Sequence, residues 1–426
     1  MTTVFPMGPA DALFLEHERR TPAAVNTIGG FVRFRGSPPG LTEFRAFAAG
    51  RLAAHTRFRL IRAPAGGRLP RWEAVPGFDI RQNMEVTKTR ADGLGALRKA
   101  VAALVSQRLP TESPPWRLTM VTGYAPDEFA VLLRAHHALL DGASISMCTS
   151  LLYGPEGLPI DPGDGGPAWV PGTVRGTAVA AWDLTNRSAP LNAGPALGED
   201  RHLSLGSVPR ATVRAAREQP VADGRPTVND VYLAAVSGAL RALLPARSGR
   251  RLLGTAHVGV PVNIRAPESR YMLGNGLSFL RVPMPLGVAS PAGRLDAVTR
   301  AMREARERDA TSGNVLLIET FARIGGPLLS SFARFGLAPR STPVICANVP
   351  VADLPMACAG RPHLQSAGIP FLPHRHGFSV LLVTSGDDLT LSVLADLRLR
   401  EFADLLVTAV ETEFARLAEP AGRVRG

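Results

Sequence analysis

Apolar positions recur along the chain with two periods, and segments of the two kinds alternate. Strand-like alternation marks residues 27–34 (TIGGFVRF), 58–62, 129–137, 254–262, 277–282 and 344–349. Helical spacing marks residues 41–55 and 94–109, where Leu94, Leu97, Val101, Leu104 and Val105 fall in register. It returns at 144–153, 209–218, 227–244, 291–308 and 400–417, with a Thr-Val-Asn-Asp start signal opening the segment at 227. Residues 316–335 are also helical, with a break expected at Gly325-Gly326-Pro327. Residues 378–384 and 389–395 read as a hairpin across Ser385-Gly386-Asp387-Asp388. From 154 to about 200 the pattern lapses into PEGLPIDPGDGGPAWVPG and its sequel, the composition of a linker or long surface crossover. The chain therefore reads as α/β (α+β), with an N-terminal lobe at residues 1–165, a crossover at 166–200 and a C-terminal lobe at 201–426.

Length agrees with that division, since 426 residues exceed one small domain. A composition of 45% hydrophobic and 20% charged residues excludes a wholly disordered chain. The most apolar stretch, 314–335, is interrupted by Glu319, Arg323 and Arg334, so no transmembrane helix is expected. The N-terminus lacks a basic region followed by an apolar core, which points to the cytoplasm. Peripheral contact with a membrane or lipid inclusion stays open through residues 316–335. Cys148, Cys346 and Cys358 are too scattered for a disulfide framework or a thiolate metal site. The net charge is +12, and 46 of the 48 basic residues are arginine, because Lys88 and Lys99 are the only lysines. Eleven arginines and one acidic residue, Glu43, lie between Arg19 and Arg71. Such a stretch is first of all what solvated faces of helices and strands carry, and it also suits coenzyme A phosphates, an acyl carrier protein or an anionic membrane. No nucleic acid is expected, because the stretch has no stacking aromatics or recognition module.

Candidate chemistry concentrates in residues 128–142, EFAVLLRAHHALLDG. Strand alternation puts Phe129, Val131, Leu133, Ala135 and His137 on one face, with Ala130, Leu132, Arg134 and His136 on the other. His137 thus closes an apolar row where the strand runs out. Opposed faces argue against a shared metal ion, and no further ligands sit nearby in sequence, so no metal is expected. A lone inward imidazole suits a general base, since it can accept a proton near neutral pH and return it. A packed core histidine fits the same spacing. No Walker-type phosphate loop is present. Gly142-Ala-Ser144-Ile-Ser146 lacks the second glycine of a nucleophile elbow, so Ser144 is read as a helix residue and not as an acyl carrier.

His136-His137-Ala-Leu-Leu-Asp141-Gly142 resembles the HHxxxDG signature of the chloramphenicol acetyltransferase-like superfamily. The remainder is similar to the bacterial wax ester synthase/diacylglycerol acyltransferase family. The resembling landmarks are the opening Met7-Gly-Pro-Ala-Asp11-Ala-Leu-Phe-Leu-Glu16, Pro114-Pro115-Trp116-Arg117-Leu118, Ala189-Pro190-Leu191-Asn192 and Thr227-Val228-Asn229-Asp230-Val231. Pro261-Val-Asn-Ile-Arg265, Leu273-Gly274-Asn275 and Ala347-Asn348-Val349-Pro350 continue the series in the family's order. The resemblance implies two lobes, each a mixed sheet flanked by helices, with a tunnel between them. It implies an O-acyltransferase that joins an acyl-CoA and an alcohol, with His137 as general base and no cofactor. His136 and Asp141 would support the catalytic geometry, with Asp141 paired to an arginine of the other lobe, for which Arg265 is the candidate. Gly142, Asn229, Asn275 and Asn348 are implied as site-supporting residues.

Three departures from the family pattern bear on substrates. Val351-Ala352 stands where Gly-Pro usually follows Asn-Val-Pro, Asn83 replaces a histidine, and Ser385-Gly386-Asp387-Asp388 replaces a Ser-Tyr-x-Gly hairpin. None touches HHxxxDG. Two other functions remain compatible with the sequence. One is a condensation-like ester or amide synthase fed by a carrier protein, and the other is a non-catalytic lipid-binding protein of the same fold.

Overall fold

The computed structural model describes the chain apart from residues 1–2, 22, 64–68, 162–165, 190, 192–197, 223, 249–254 and 420–426. Pro190 and Asn192 of the crossover landmark, Arg68 of the arginine-rich stretch, and Gly254 at the head of a predicted strand lie outside the described residues.

Two mixed sheets organise the molecule. The larger has six strands in the order Ala357–Cys358, Arg361–Ile369, Thr27–Arg35, Glu128–His136, Trp116–Thr122 and Met84–Lys88, with only the last two parallel. The second has four, Cys346–Pro350, Phe378–Ser385, Asp388–Asp396 and Arg201–Pro209, with the first pair parallel. Ala256–Asn263 and Leu277–Met284 form a separate antiparallel pair, joined to the second sheet by a bridge between Gly259 and Ile345. The lobes are interwoven at the larger sheet, because Arg361–Ile369 comes from the second half of the chain and pairs with Thr27–Arg35.

The alternation in Glu128–His136 is realised in packing. Phe129, Val131, Leu133 and Ala135 enter one apolar core, while Ala130 and Leu132 enter another behind the sheet. Burying each large side chain contributes about 1.5–3 kcal/mol, so a one-residue slip would expose both rows and is strongly disfavoured. The helix Val228–Ser248 starts where the sequence signalled. Its start is held by Thr227 and Asp230, each accepting the other's backbone N–H, at 3.2 Å and 2.8 Å. The expected break occurs at Gly325 (φ 144°), between Ala310–Ile324 and Gly326–Gly336. Two local expectations change. Residues 56–59 wind into a 3₁₀ turn, leaving only Leu60–Arg62 as strand. The crossover contains a helix, Val174–Thr185, which packs against Ala310–Ile324.

Candidate active site

The strand Glu128–His136 delivers the histidine pair to the seam between the lobes. Its ladder ends with His136 opposite Thr27, and the chain then turns through residues 137–140. Asp141 stops that turn and caps the helix Gly142–Tyr153, accepting the Ser144 N–H at 2.8 Å. The two imidazoles meet the same helix, Pro9–Arg20, one turn apart. The His137 ring stacks on Phe14 with centroids 3.9 Å apart and 12° between planes, and Phe371 closes its edge at 5.2 Å. His136 bonds through Nε2 to the Glu18 carboxylate at 3.0 Å, while its Nδ1 accepts the Ala138 N–H at 3.0 Å. Strand alternation predicted the rings on opposed faces, whereas both meet one face of the same helix. The rule stops at His136, the last ladder residue, so it could not place His137.

His136 is thereby fixed as a structural clamp. With Nδ1 accepting, the proton of the neutral ring sits on Nε2 and is donated to Glu18. Burial alone would raise the Glu18 carboxyl. The hydrogen bond from His136, the Asn26 N–H and Arg108 outweigh it and hold the carboxyl below its ordinary range. His137 is different. Its backbone is secured, with the N–H donating to Asn26 O at 2.7 Å and the carbonyl accepting from Asn275 Nδ2 at 2.8 Å. Its Nδ1 is buried with no hydrogen-bond partner, and the ring lines an open cavity. Burial pushes its pKa down to about 4, only partly opposed by its own backbone and the Asp141 charge, so the imidazole is neutral at pH 7.

Asp141 faces Arg265 of the other lobe in a two-point ion pair, with Nη1 to Oδ2 at 2.8 Å and Nη2 to Oδ1 at 2.9 Å. Both side chains are almost fully enclosed, at 3% and 1% exposure. The Gly276 N–H adds a further bond to Asp141 at 2.9 Å. Burial by itself would raise this carboxyl. Arg265, followed by the Gly276 and Ser144 amides, reverses the direction and holds it below the usual carboxylate range. Arg265 also donates to Ser144 Oγ, Gly274 O, Asn263 Oδ1 and Met272 O. Ser144 lies in the first turn of its helix with its hydroxyl fully engaged by Arg265 and Gly274.

Among the supporting residues, Asn275 and Asp141 are brought directly to the histidine turn. Gly142 and Asn348 line the cavity, Gly142 because a Cβ there would stand 3.0 Å from Val349 Cγ2. Asn348 Oδ1 is buried without a partner. Asn229 is not among the residues lining the cavity, and the cap at its helix start is made by Thr227 and Asp230 instead. Sequence reasoning missed the role of the N-terminal helix. Asp11, Phe14 and Glu18 lie three and four residues apart, on one helix face. Asp11 accepts from Asn275 at 2.9 Å, Arg57 at 3.1 Å and the Trp72 indole at 2.9 Å, while Phe14 and Glu18 hold the two imidazoles. That spacing was visible in the sequence. What it faced was not.

The cavity beside His137 has a volume of about 490 Å³ and mostly apolar walls. Its lining includes exposed residues, Asn263, Arg270, Tyr271 and Pro350, and buried apolar ones, among them Phe31, Val32, Leu381 and Val383. A second apolar cavity of about 90 Å³ has Phe14 in its wall and shares Phe279 and Ile345 with the first. The Phe14–His137 stack therefore has a cavity at each partner. Among the described residues no group of three His, Cys, Asp or Glu side chains could hold a metal ion. No described helix is long and apolar enough to cross a membrane.

Known proteins match this arrangement over nearly the whole chain. Residues 7–159 match the wax ester synthase/diacylglycerol acyltransferase catalytic domain, and residues 273–418 match the WS/DGAT C-terminal domain. The chain is 26% identical to the probable diacylglycerol O-acyltransferase tgs1 of Mycobacterium tuberculosis, over 96% of this chain and 94% of that one. Its fold is similar to the wax ester synthase/diacylglycerol acyltransferase from Marinobacter aquaeolei VT8, with a TM-score of 0.68, 20% identity and coverage of 97% and 98%. It is also similar to the starter condensation domain of rhizomide synthetase RzmA, solved with C8-CoA and Leu-SNAC, with a TM-score of 0.66, 14% identity and coverage of 98% and 95%. With the histidine turn, the lobe-bridging ion pair and both domain matches in place, the chain belongs to the wax ester synthase/diacylglycerol acyltransferase family and is an acyltransferase of the ester-forming type.

Proposed function

We propose that the protein transfers an acyl group from acyl-CoA to an alcohol, with His137 as general base. The observation that carries this reading is a neutral imidazole, clamped from both sides of its backbone, lining an apolar cavity of about 490 Å³. Such a ring can take the hydroxyl proton as the alkoxide oxygen bonds to the thioester carbonyl. The tetrahedral intermediate collapses with cleavage of the C–S bond, and the imidazolium returns its proton to the departing thiolate. The products are an ester and free coenzyme A, with no cofactor consumed. Much of the acceleration comes from holding both reactants beside one fixed base. The smaller apolar cavity at Phe14, which shares Phe279 and Ile345 with the main one, adds apolar space next to the stack. Asn348, with its unpartnered carbonyl oxygen on the cavity wall, is suited to orient a substrate hydroxyl.

Purified protein incubated with a long-chain acyl-CoA and a panel of alcohols should release thiol only when an acceptor is present. His137→Ala should lower the rate about 10²–10⁴-fold while the fold is retained. Full activity in that variant would overturn the reading. Turnover with carrier-bound donors alone would favour a condensation-like synthase, and ligand binding without turnover would favour a lipid-binding protein.

A further inference from the structure

Three side chains of the acidic and basic types line the main cavity: His137, Asp141 and Arg270. His137 is neutral at pH 7, and Asp141 is neutralised by Arg265. Arg270 alone brings uncompensated charge. It is exposed, follows the 3₁₀ turn Pro267–Ser269, and its guanidinium lies over the Tyr271 ring with the central carbon 4.6 Å from the centroid. None of the ion pairs formed among the described residues includes it. Phe31, Val32, Leu381 and Val383, also in the lining, are buried and apolar. The lining thus combines an exposed cation with buried hydrocarbon.

From this lining we infer that Arg270, braced by Tyr271, binds a phosphate of the coenzyme A portion of the donor, and that the acyl chain runs past His137 along the buried apolar wall. This rests on the acyl-CoA reading above and assigns it a direction. A guanidinium matches phosphate oxygens through paired N–H donors, and stacking on an aromatic face restricts the side chain before the ligand arrives. The site is a positioning one, since Arg270 does not touch the reacting atoms. Its contribution should appear in donor affinity and not in the chemical step.

The test uses the full chain, wild type and Arg270→Gln, with two donors that differ only in the nucleotide: dodecanoyl-CoA and dodecanoyl-pantetheine. Equilibrium binding of free coenzyme A and of pantetheine is measured alongside. The expected result is a roughly tenfold higher KM for dodecanoyl-CoA in Arg270→Gln, with kcat within twofold and KM for dodecanoyl-pantetheine unchanged. Coenzyme A should bind about tenfold more weakly to the variant, whereas pantetheine binding should not change. Arg270→Lys should recover part of the loss. Rising salt should weaken coenzyme A binding to wild type more steeply than to Arg270→Gln. Equal coenzyme A affinity in the two proteins would overturn the inference, as would a KM increase of the same factor for both donors. A wild-type protein that binds coenzyme A through Arg270 but transfers no acyl group would remove the proposed reaction and leave the phosphate site standing.

Discussion

Replacing Asp141 by Asn, Arg265 by Met, and then both together measures how the two lobes are tied at the active site. The side chains are 3% and 1% exposed and share two hydrogen bonds of 2.8 Å and 2.9 Å. At an effective dielectric of 20, unit charges about 4 Å apart interact by about 4 kcal/mol, an attraction set against the desolvation of both groups. Removing one partner is worse than removing the pair, because the other charge is left buried. In Asp141→Asn the single amide oxygen can still cap Ser144, but the amide N–H groups then face Arg265 or Gly276, both donors. Four neutral acceptors remain around Arg265, which places the cost near the lower end of the usual range for a broken buried pair, about 3 kcal/mol. Arg265→Met leaves the Asp141 carboxylate with only two amide donors and should cost a similar amount. The double variant carries no buried charge, so its loss should fall short of the summed single losses by about 2–3 kcal/mol.

Urea unfolding provides the assay, followed by circular dichroism for both lobes and by tryptophan fluorescence. Trp72 and Trp116 are fully buried in the core beside the larger sheet, so fluorescence weights that core while circular dichroism reports the whole chain. Single losses that add to within about 0.5 kcal/mol in the double variant would refute the reasoning, since independent sites behave that way.

Acid should destabilise the protein in two windows. His137 and His17 are both pushed down to about 4 by burial, His17 also by His374. The unfolded chain therefore takes up protons first, and stability falls from about pH 6.5 toward 4, by about 2 kcal/mol for each histidine between pH 7 and 5. Asp141, held below its ordinary value, keeps its contribution until the pH drops below about 4 and loses it only as the pH passes through the depressed folded value. A denaturation series across pH 3–8 checks both, and a flat profile between 7 and 5 would contradict the first. For the same reason kcat/KM should show no histidine inflection near pH 6.5, which a rate profile on undenatured protein tests. Phe14→Ala should cost about 3–5 kcal/mol and Phe14→Leu under about 1.5, with activity reduced in both because the imidazole loses its flat support. Urea midpoints and initial rates distinguish packing from positioning. Gly29→Ala should destabilise by at least about 1–3 kcal/mol, because its Cβ would stand 2.3 Å from the Leu133 carbonyl oxygen across the ladder, and backbone there cannot yield. Thermal unfolding checks it.

What the sequence could reveal follows from which signals are local. The hairpin Phe378–Ser385 and Asp388–Asp396, the helix break at Gly325 and the capped start at Thr227 depend on neighbours within a few residues, and all were legible. The strand Arg361–Ile369 was not. RPHLQSAGI has Pro, Gly and few apolar residues, and it becomes a strand because Thr27–Arg35 offers it an edge 334 positions away in the chain. The helix Val174–Thr185 was hidden by the Pro- and Gly-rich composition around it and is stabilised by the helix it packs on. At the site, HHxxxDG located the turn, and the family resemblance named Arg265. Phe371 and the Asp11, Phe14 and Glu18 face were invisible as site residues, because a helix face declares its spacing and not its partner.

That face also explains why the signature has two histidines when one imidazole faces the cavity. His136 donates to Glu18 and accepts from Ala138, so it pins the turn to the N-terminal helix at the last rung of the ladder. Phe14, one turn earlier on the same helix, then supports the next imidazole from its flat side. Asp11, a further turn back, grips Asn275, which in turn holds the His137 carbonyl from the second lobe. One twelve-residue helix therefore sets the position of the His137 ring and backbone together, without bonding to either ring nitrogen. The general-base role proposed for His137, accepting a proton and giving it back, needs both properties at once, a fixed location and an uncommitted nitrogen. A direct hydrogen bond from a carboxylate would secure the ring but also raise its pKa and favour the imidazolium. Placing the carboxylates on His136, Arg265 and Asn275 fixes the geometry while leaving the His137 ring neutral.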